Sequence, residues 1–232
     1  MLTPDDPAFL SVRARTKALF FDLDGTLIDT DDAFVETWAG RLEGWSRGLV
    51  GDDPRPLLRR ALVAAEGPIN AVVSLLDAVG LDDYVFSVGD RLRRVRGLRT
   101  QGRFVVVDGV LETIRSLHRS YHLGVVTSRS RVDALAFLGQ FELQRLVAVV
   151  TTREDTWRLK PHPEPIRRTV TSLGLSPLEC VMVGDTAVDM LSAKEAGTFA
   201  VGVLCGFGER KELLAAGADL VLDKTAELVR WF

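Results

Sequence analysis

Lysine is scarce in this sequence. Five lysines stand against 24 arginines, and none occurs between Lys17 and Lys160, which limits the chemistry open to the middle of the chain. Cysteine is scarcer still: Cys180 and Cys205 each sit in an apolar run. They read as small buried hydrophobes in a reducing compartment, and a disulfide-stapled scaffold is excluded. Long hydrophobic runs are missing too. None approaches the roughly 18 residues needed to span a bilayer. Met1 to Asp6 also lack the basic-then-apolar order of a secretion signal. A soluble, cytoplasmic protein with no membrane partner is the expectation. Nor is there an excess of positive charge. The formal net charge is −3, so no global positive field recruits nucleic acid.

What is present argues for a folded core. Hydrophobic residues make up 47% of 232 positions and charged residues 26%, which excludes a disordered or fibrous chain. The length suits one large domain or two unequal ones. Six short apolar runs are continuous instead of alternating, as strands buried on both faces are: 18–21, 123–126, 146–150, 181–183, 199–204 and 220–222. Helix-length segments lie between them at 109–120, 132–140, 163–173, 189–196 and 209–216. Gly174, Gly197 and Gly217 follow three of these segments, where a left-handed helix end favours glycine. Strands alternating with helices predict an α/β fold with a doubly wound parallel sheet.

Residues 30–104 break the pattern. They hold no convincing strand and read as helices interrupted at 51–56, 67–68 and 80–83. The expected organisation is a core of residues 1–29 and 105–232, carrying an inserted helical subdomain at 30–104.

Ligands of open α/β sheets bind beyond the carboxyl ends of the strands. There the sequence places Asp22-Leu23-Asp24-Gly25-Thr26, then Thr127-Ser128, then Gly184-Asp185 with Asp189 four residues on. Lys160 lies in a loop, Lys160-Pro161-His162-Pro163, that precedes a helix. Gathered carboxylates repel: two charges about 4 Å apart cost roughly 4 kcal/mol at an effective dielectric near 20. An oxygen-rich, sulfur-free set of this kind favours a hard cation such as magnesium. Asp22, the Asp24 backbone carbonyl and Asp185 are the candidate ligands. Helix capping is the bland alternative, and it leaves Asp22 and Asp24, flanking one apolar leucine, unexplained.

Asp22-Leu23-Asp24-Gly25-Thr26-Leu27 resembles the first signature of the haloacid dehalogenase superfamily. Thr127 after its apolar strand resembles the second, Lys160-Pro161-His162-Pro163 the third, and Gly184-Asp185-Thr186-Ala187-Val188-Asp189 the fourth. Ala193, Ala196 and Gly197 extend the match, and Asp108-Gly109-Val110 resembles the point of re-entry into the core. The motifs run in order over about residues 17 to 225. The insert after the first motif resembles the helical-cap subclass, which includes phosphoglycolate phosphatases, pyrophosphatases, sugar phosphatases and β-phosphoglucomutases. The resemblance implies a Rossmann-like core and a phosphatase acting on a small phosphorylated metabolite with Mg2+. It implies Asp22 as nucleophile, Asp24 as acid and then base, and Thr127 and Lys160 on the transferring phosphoryl group. Gly25, Thr26 and Ser128 would line the substrate's phosphate. The metal would be held by Asp22, Asp24 and Asp185, with Asp189 orienting either the metal's water shell or Lys160.

Differences between branches sharpen this. A dehalogenase carries an aromatic residue where Asp24 stands, and a phosphonate-cleaving enzyme needs an insert lysine, of which there is none. The phosphomutase branch typically has a histidine where this chain has Phe34, and a lysine in the insert. A hydrolase is therefore preferred over a phosphomutase or a non-catalytic regulatory module. Arg55, in Gly51-Asp52-Asp53-Pro54-Arg55-Pro56, resembles the family's specificity loop in position. It reads either as a ligand for a carboxylate or second phosphate, or as a solvated loop arginine. Trp38 and Trp45 read as core of the insert before a substrate wall. The arginines of the 90–103 stretch read as a solvated face. His162, between prolines, shapes the turn. Both a monomer and a homodimer suit a chain of this size.

Overall fold

A computed structural model describes residues 3–29 and 104–232, which form one compact unit. Arg55, Phe34, Trp38, Trp45 and the arginines of 91–103 lie outside the described residues, as does the helical reading of 30–103.

The described residues carry a six-stranded, wholly parallel sheet. Its strands are β1 (Ala18–Phe21), β2 (His122–Val126), β3 (Val147–Thr151), β4 (Cys180–Gly184), β5 (Phe199–Val203) and β6 (Leu220–Leu222). Their order is β3-β2-β1-β4-β5-β6, so the chain winds outward on one side of β1 and then on the other. Helices flank both faces, as in a Rossmann-like doubly wound fold. They are α1 (Pro7–Arg15), α2 (Val110–Leu117), α3 (Arg131–Gln140), α4 (Glu164–Ser172), α5 (Ala187–Ala196), α6 (Arg210–Ala215) and α7 (Leu228–Trp231). Among the described residues no helix is long and apolar enough to cross a membrane.

Continuous apolar runs make buried strands because each face of the sheet has its own core. Leu19 and Phe21 of β1, with Val181 and Val183 of β4, face a cluster that takes in Phe9 of α1, Ile114 of α2, Phe137 of α3 and Leu228 of α7. Ala18, Phe20, Cys180 and Met182 face the opposite cluster, with Ile166 and Val170 of α4, Met190 of α5 and Leu213 of α6. Side chains alternate between faces with period two, so a strand covered on both sides must be apolar throughout. Gly174, Gly197 and Gly217 all take positive φ at the helix ends they follow.

Two elements escape the sequence reading. In α1, Asp6 accepts a hydrogen bond from the Ala8 amide at 2.9 Å with Pro7 in the first turn, an N-terminal cap with few apolar residues behind it. The ring of Phe9 meets Trp231 at 4.8 Å and Phe232 at 5.3 Å, so α1 and α7 hold each other against the sheet. Phe104, placed in the insert from sequence, is buried in the core cluster. The chain leaves the core through Leu27–Asp29 and returns beside itself. The Val107 amide donates to Leu27 at 3.0 Å and the Asp29 amide to Val105 at 2.9 Å.

Candidate active site

Register positions the acidic residues. Phe21 pairs with Val125 on one side and Val183 on the other, so β1, β2 and β4 end almost level. The next residues along, Asp22, Thr127 and Asp185, emerge together where the strand order reverses, at the usual crevice of such a sheet. The Asp22 amide still donates to Val183 at 3.0 Å, and the Thr127 amide to Thr151 at 3.0 Å. Both side chains are thus fixed by the last rungs of the ladder.

Lys160 reaches this edge from the loop before α4. Its ammonium group donates to Asp22 Oδ1 at 2.7 Å, Asp189 Oδ1 at 2.6 Å and the Val126 carbonyl at 3.1 Å. All three of its N–H bonds are spoken for, at 4% exposure. Burial alone would lower its pKa, but Asp189 and Asp22 outweigh that and raise it above the ordinary lysine value. Lys160 is a fixed cation. His162 braces the same loop by accepting from the Glu164 amide at 3.2 Å on Nδ1, while its carbonyl accepts from Ser192 at 2.9 Å.

Asp189 serves two purposes. It stands at the third position of α5 and accepts from the Thr186 hydroxyl at 2.6 Å and the Thr186 amide at 3.2 Å, a reciprocal capping box. Its other oxygen holds Lys160. Asp189 thus caps α5 and pairs with Lys160 at once.

Asp185 is wholly enclosed. Oδ2 accepts from the Phe207 amide at 2.9 Å and Oδ1 from the Thr26 hydroxyl at 3.3 Å. Thr26, itself fully buried, therefore acts on the carboxylate and is not exposed to a ligand. A Cβ on Gly25 or on Gly206 would lie 2.1 Å from Asp185 Oδ2, and Gly25 has φ of +67°. Glycine at position 25 is thus required by Asp185 and the Gly206 backbone, where the sequence suggested room for a phosphate. The loop Gly206-Phe207-Gly208, which the sequence reading passed over, wraps this carboxylate; paired glycines just beyond a strand were the available signal.

Oxygens of Asp22, Asp185 and Asp189 lie within 4.8 Å of one another. Burial, then the neighbouring Asp189 and Asp22, raise the Asp185 pKa well above the carboxylate range. Burial pushes Asp22 up to about 6, with Lys160 opposing and Asp189 and Asp24 adding. The Asp24 carboxylate is not in this group. Arg129 grips it with both prongs, Nε to Oδ2 at 2.7 Å and a terminal nitrogen to Oδ1 at 2.5 Å. Arg129 is the main omission of the sequence reading, although it follows Thr127-Ser128 directly at the end of β2. Its amide donates to Thr127 Oγ1 at 3.1 Å, so that hydroxyl oxygen is an acceptor here and its O–H is left to donate elsewhere. Ser128 is half-buried beside it.

Four carboxylates thus meet two cationic side chains, Lys160 and Arg129, among the described residues. The excess of two negative charges, on hard oxygen donors, fits a divalent cation such as Mg2+.

The comparisons agree with this architecture. The model of the haloacid dehalogenase-like hydrolase family matches residues 75–203, more than half of the chain. Pyrophosphatase PpaX of Bacillus pumilus is 30% identical over 215 residues, covering 91% of this chain and 94% of that protein. The PpaX of Anoxybacillus flavithermus is 29% identical over 213 residues, with the same coverage. Among solved structures, a haloacid dehalogenase-like hydrolase family protein from Streptococcus pneumoniae superposes with a TM-score of 0.66 at 22% identity, covering 94% of this chain and 99% of that one. A predicted phosphoglycolate phosphatase from Haemophilus somnus gives 0.64 at 21% identity, over 93% and 97% of the two chains. With its parallel sheet, its acidic edge and the fixed lysine, the chain belongs to the haloacid dehalogenase-like hydrolase family.

Proposed function

We propose that the chain is a magnesium-dependent phosphatase that hydrolyses a small phosphorylated metabolite through an aspartyl-phosphate on Asp22. One observation carries the reading: a buried carboxylate, Asp22, shares Lys160 with Asp189 next to the enclosed Asp185, at the crevice where β1, β2 and β4 end. The PpaX relatives, named pyrophosphatases, support the same class of chemistry. In this reading residues 30–103 form the cap, and the choice among substrates lies there.

A carboxylate about 3 Å from a phosphate dianion faces roughly 11 kcal/mol of repulsion at an effective dielectric near 20. Lys160 offsets part of it. A Mg2+ held by Asp22, Asp185 and the Asp24 carbonyl, with Asp189 behind, would neutralise charge on the phosphoryl oxygens. An Asp22 oxygen attacks phosphorus while the bond to the leaving oxygen breaks, and the Thr127 hydroxyl donates to a phosphoryl oxygen. Asp24 delivers a proton to the leaving oxygen. It then takes one from the water that attacks phosphorus, releasing phosphate and restoring Asp22.

Asp22→Asn is expected to abolish phosphate release, by at least about 10³-fold, while circular dichroism and melting temperature stay near wild type. Chelation should remove activity and added magnesium restore it. A folded Asp22→Asn protein that still turns over would overturn the nucleophile assignment. A screen over phosphoglycolate, pyrophosphate, sugar phosphates and nucleotides identifies the substrate. Isomerisation of a hexose phosphate without net phosphate release would establish the phosphomutase alternative.

A further inference from the structure

The end of the sheet opposite the acidic edge carries a cavity of about 350 Å3 that takes no part in the mechanism above. It lies where α2 turns into β2 and where β3 begins, and His118, Arg119, Tyr121, His122 and Arg145 line it. Strand β2 separates it from the active site. His122 opens that strand and Thr127 follows its last residue, a run of about 16 Å at roughly 3.3 Å per residue. The volume falls at the small end of ligand sites, which span about 300 to 1,000 Å3.

The lining is cationic. Two guanidinium groups and two imidazoles face this space and no carboxylate does, in a chain whose formal net charge is −3. Elsewhere on the described surface cations find acids: Arg131 pairs with Asp155, Lys194 with Asp219 and Arg210 with Asp223. Neither Arg119 nor Arg145 has an ion pair or a side-chain hydrogen bond among the described residues, and the same holds for the rings of His118 and His122. Backbone acceptors do not serve them either. The last carbonyls of α2 are taken by the turn itself, with the Arg119 amide donating to Ser116 at 3.2 Å and the Ser120 and Tyr121 amides to Leu117 at 3.1 and 2.9 Å. Ahead of Arg145, the Leu146 amide closes the loop onto Leu143 at 2.9 Å. The Tyr121 hydroxyl donates to the Phe232 carbonyl at 2.9 Å, so its ring stands as a fixed wall. Two loops, each held by its own backbone, thus present unpartnered donors to one space.

A guanidinium fork matches a phosphate or carboxylate with two parallel bonds, and an imidazole adds an N–H. Two guanidiniums from separate loops suit an anion with more than one charged group. We propose that this cavity is a second binding site, for an anion carrying two or more linked phosphoryl groups, separate from the acidic edge. The site does not depend on the phosphatase reading.

The chain has three histidines, and they make the test specific: His118 and His122 line the cavity, whereas His162 sits in the Lys160 loop. Histidine-ring NMR of the full chain is titrated in EDTA with tripolyphosphate and, separately, with ATP, which share a triphosphate. The His118 and His122 signals should move together and saturate with a Kd of about 10–500 µM. Tighter binding of ATP identifies a nucleotide as the ligand and tighter binding of tripolyphosphate a free polyphosphate; either supports the site. Arg119→Gln and Arg145→Gln should each weaken binding at the cavity about tenfold or more, with circular dichroism unchanged. Arg115→Gln removes an exposed α2 arginine outside the cavity and should change the affinity by less than about twofold. Equal weakening in all three variants marks diffuse attraction to a basic surface and overturns the site. Movement of His162 alone, or no saturable shift at millimolar anion, overturns it as well.

Discussion

Lys160 illustrates how a single side chain can hold a cluster of carboxylates together. It neutralises Asp22 and Asp189 at 2.7 and 2.6 Å and is buried with them. Lys160→Ala should therefore cost about 3–5 kcal/mol of stability, since two buried carboxylates lose their partner. Denaturant unfolding reads this as a lower midpoint. Lys160→Arg should not recover activity, because a planar guanidinium cannot meet three acceptors arranged around one nitrogen; full activity in that variant would refute the tripod geometry. Glycine matters at this scale as well. Gly206→Ala puts a methyl group 2.1 Å from Asp185 Oδ2, so the loop must shift or the carboxylate must turn. The expected result is weaker magnesium activation with a modest loss of stability, about 1–3 kcal/mol. An unchanged magnesium requirement would show that the loop does not hold Asp185. The aspartates and Lys160 were legible because carboxylates at strand ends have few bland explanations. Arg129 was not, since a sequence of 24 arginines offers no sign of which one folds back onto Asp24.

At the scale of elements, the strands were readable because both faces of the sheet are covered. Burial on two sides demands the unbroken apolar runs of Ala18–Phe21 and Cys180–Gly184. Helix α1 was not readable, since only Phe9 and Val12 of its nine residues are buried and its stability comes from α7, over 200 residues away. Helix α5 joins structure to chemistry, because the residue that completes its cap also holds Lys160. Thr186→Ala should remove about 1 kcal/mol through the lost cap and lower kcat by loosening Asp189. Thr186→Ser should restore both. A Thr186→Ala protein that melts lower yet keeps its kcat would separate the cap from the site.

At the scale of the whole molecule, the acidic edge trades stability for the capacity to hold a cation. Burial raises the pKa of Asp22 to about 6 and that of Asp185 well above the carboxylate range. The metal-free fold then binds protons more tightly than the unfolded chain does. Its stability from these groups is present in acid and falls as pH rises, through about 4 to 6 for Asp22. A divalent cation held by these carboxylates, as proposed above, would remove that penalty. The gap between the magnesium-loaded and chelated melting temperatures should therefore be small near pH 4 and widen to about 5 °C or more by pH 7. Differential scanning calorimetry at several pH values measures it. A gap that does not change with pH would show that the three carboxylates do not share a cation.

By itself, the sequence determined the class of fold and the identity of the acidic edge. Apolar runs of strand length need cover on both faces, and four aspartates at strand ends need a counter-charge. Only the tertiary structure decided which cations answer them. Parallel register brings Asp22, Thr127 and Asp185 level, Lys160 arrives from 138 residues away, and Arg129 takes Asp24 out of the carboxylate group. Such pairings join residues far apart in the chain. Charge attraction selects partners by distance in space, which local sequence does not encode.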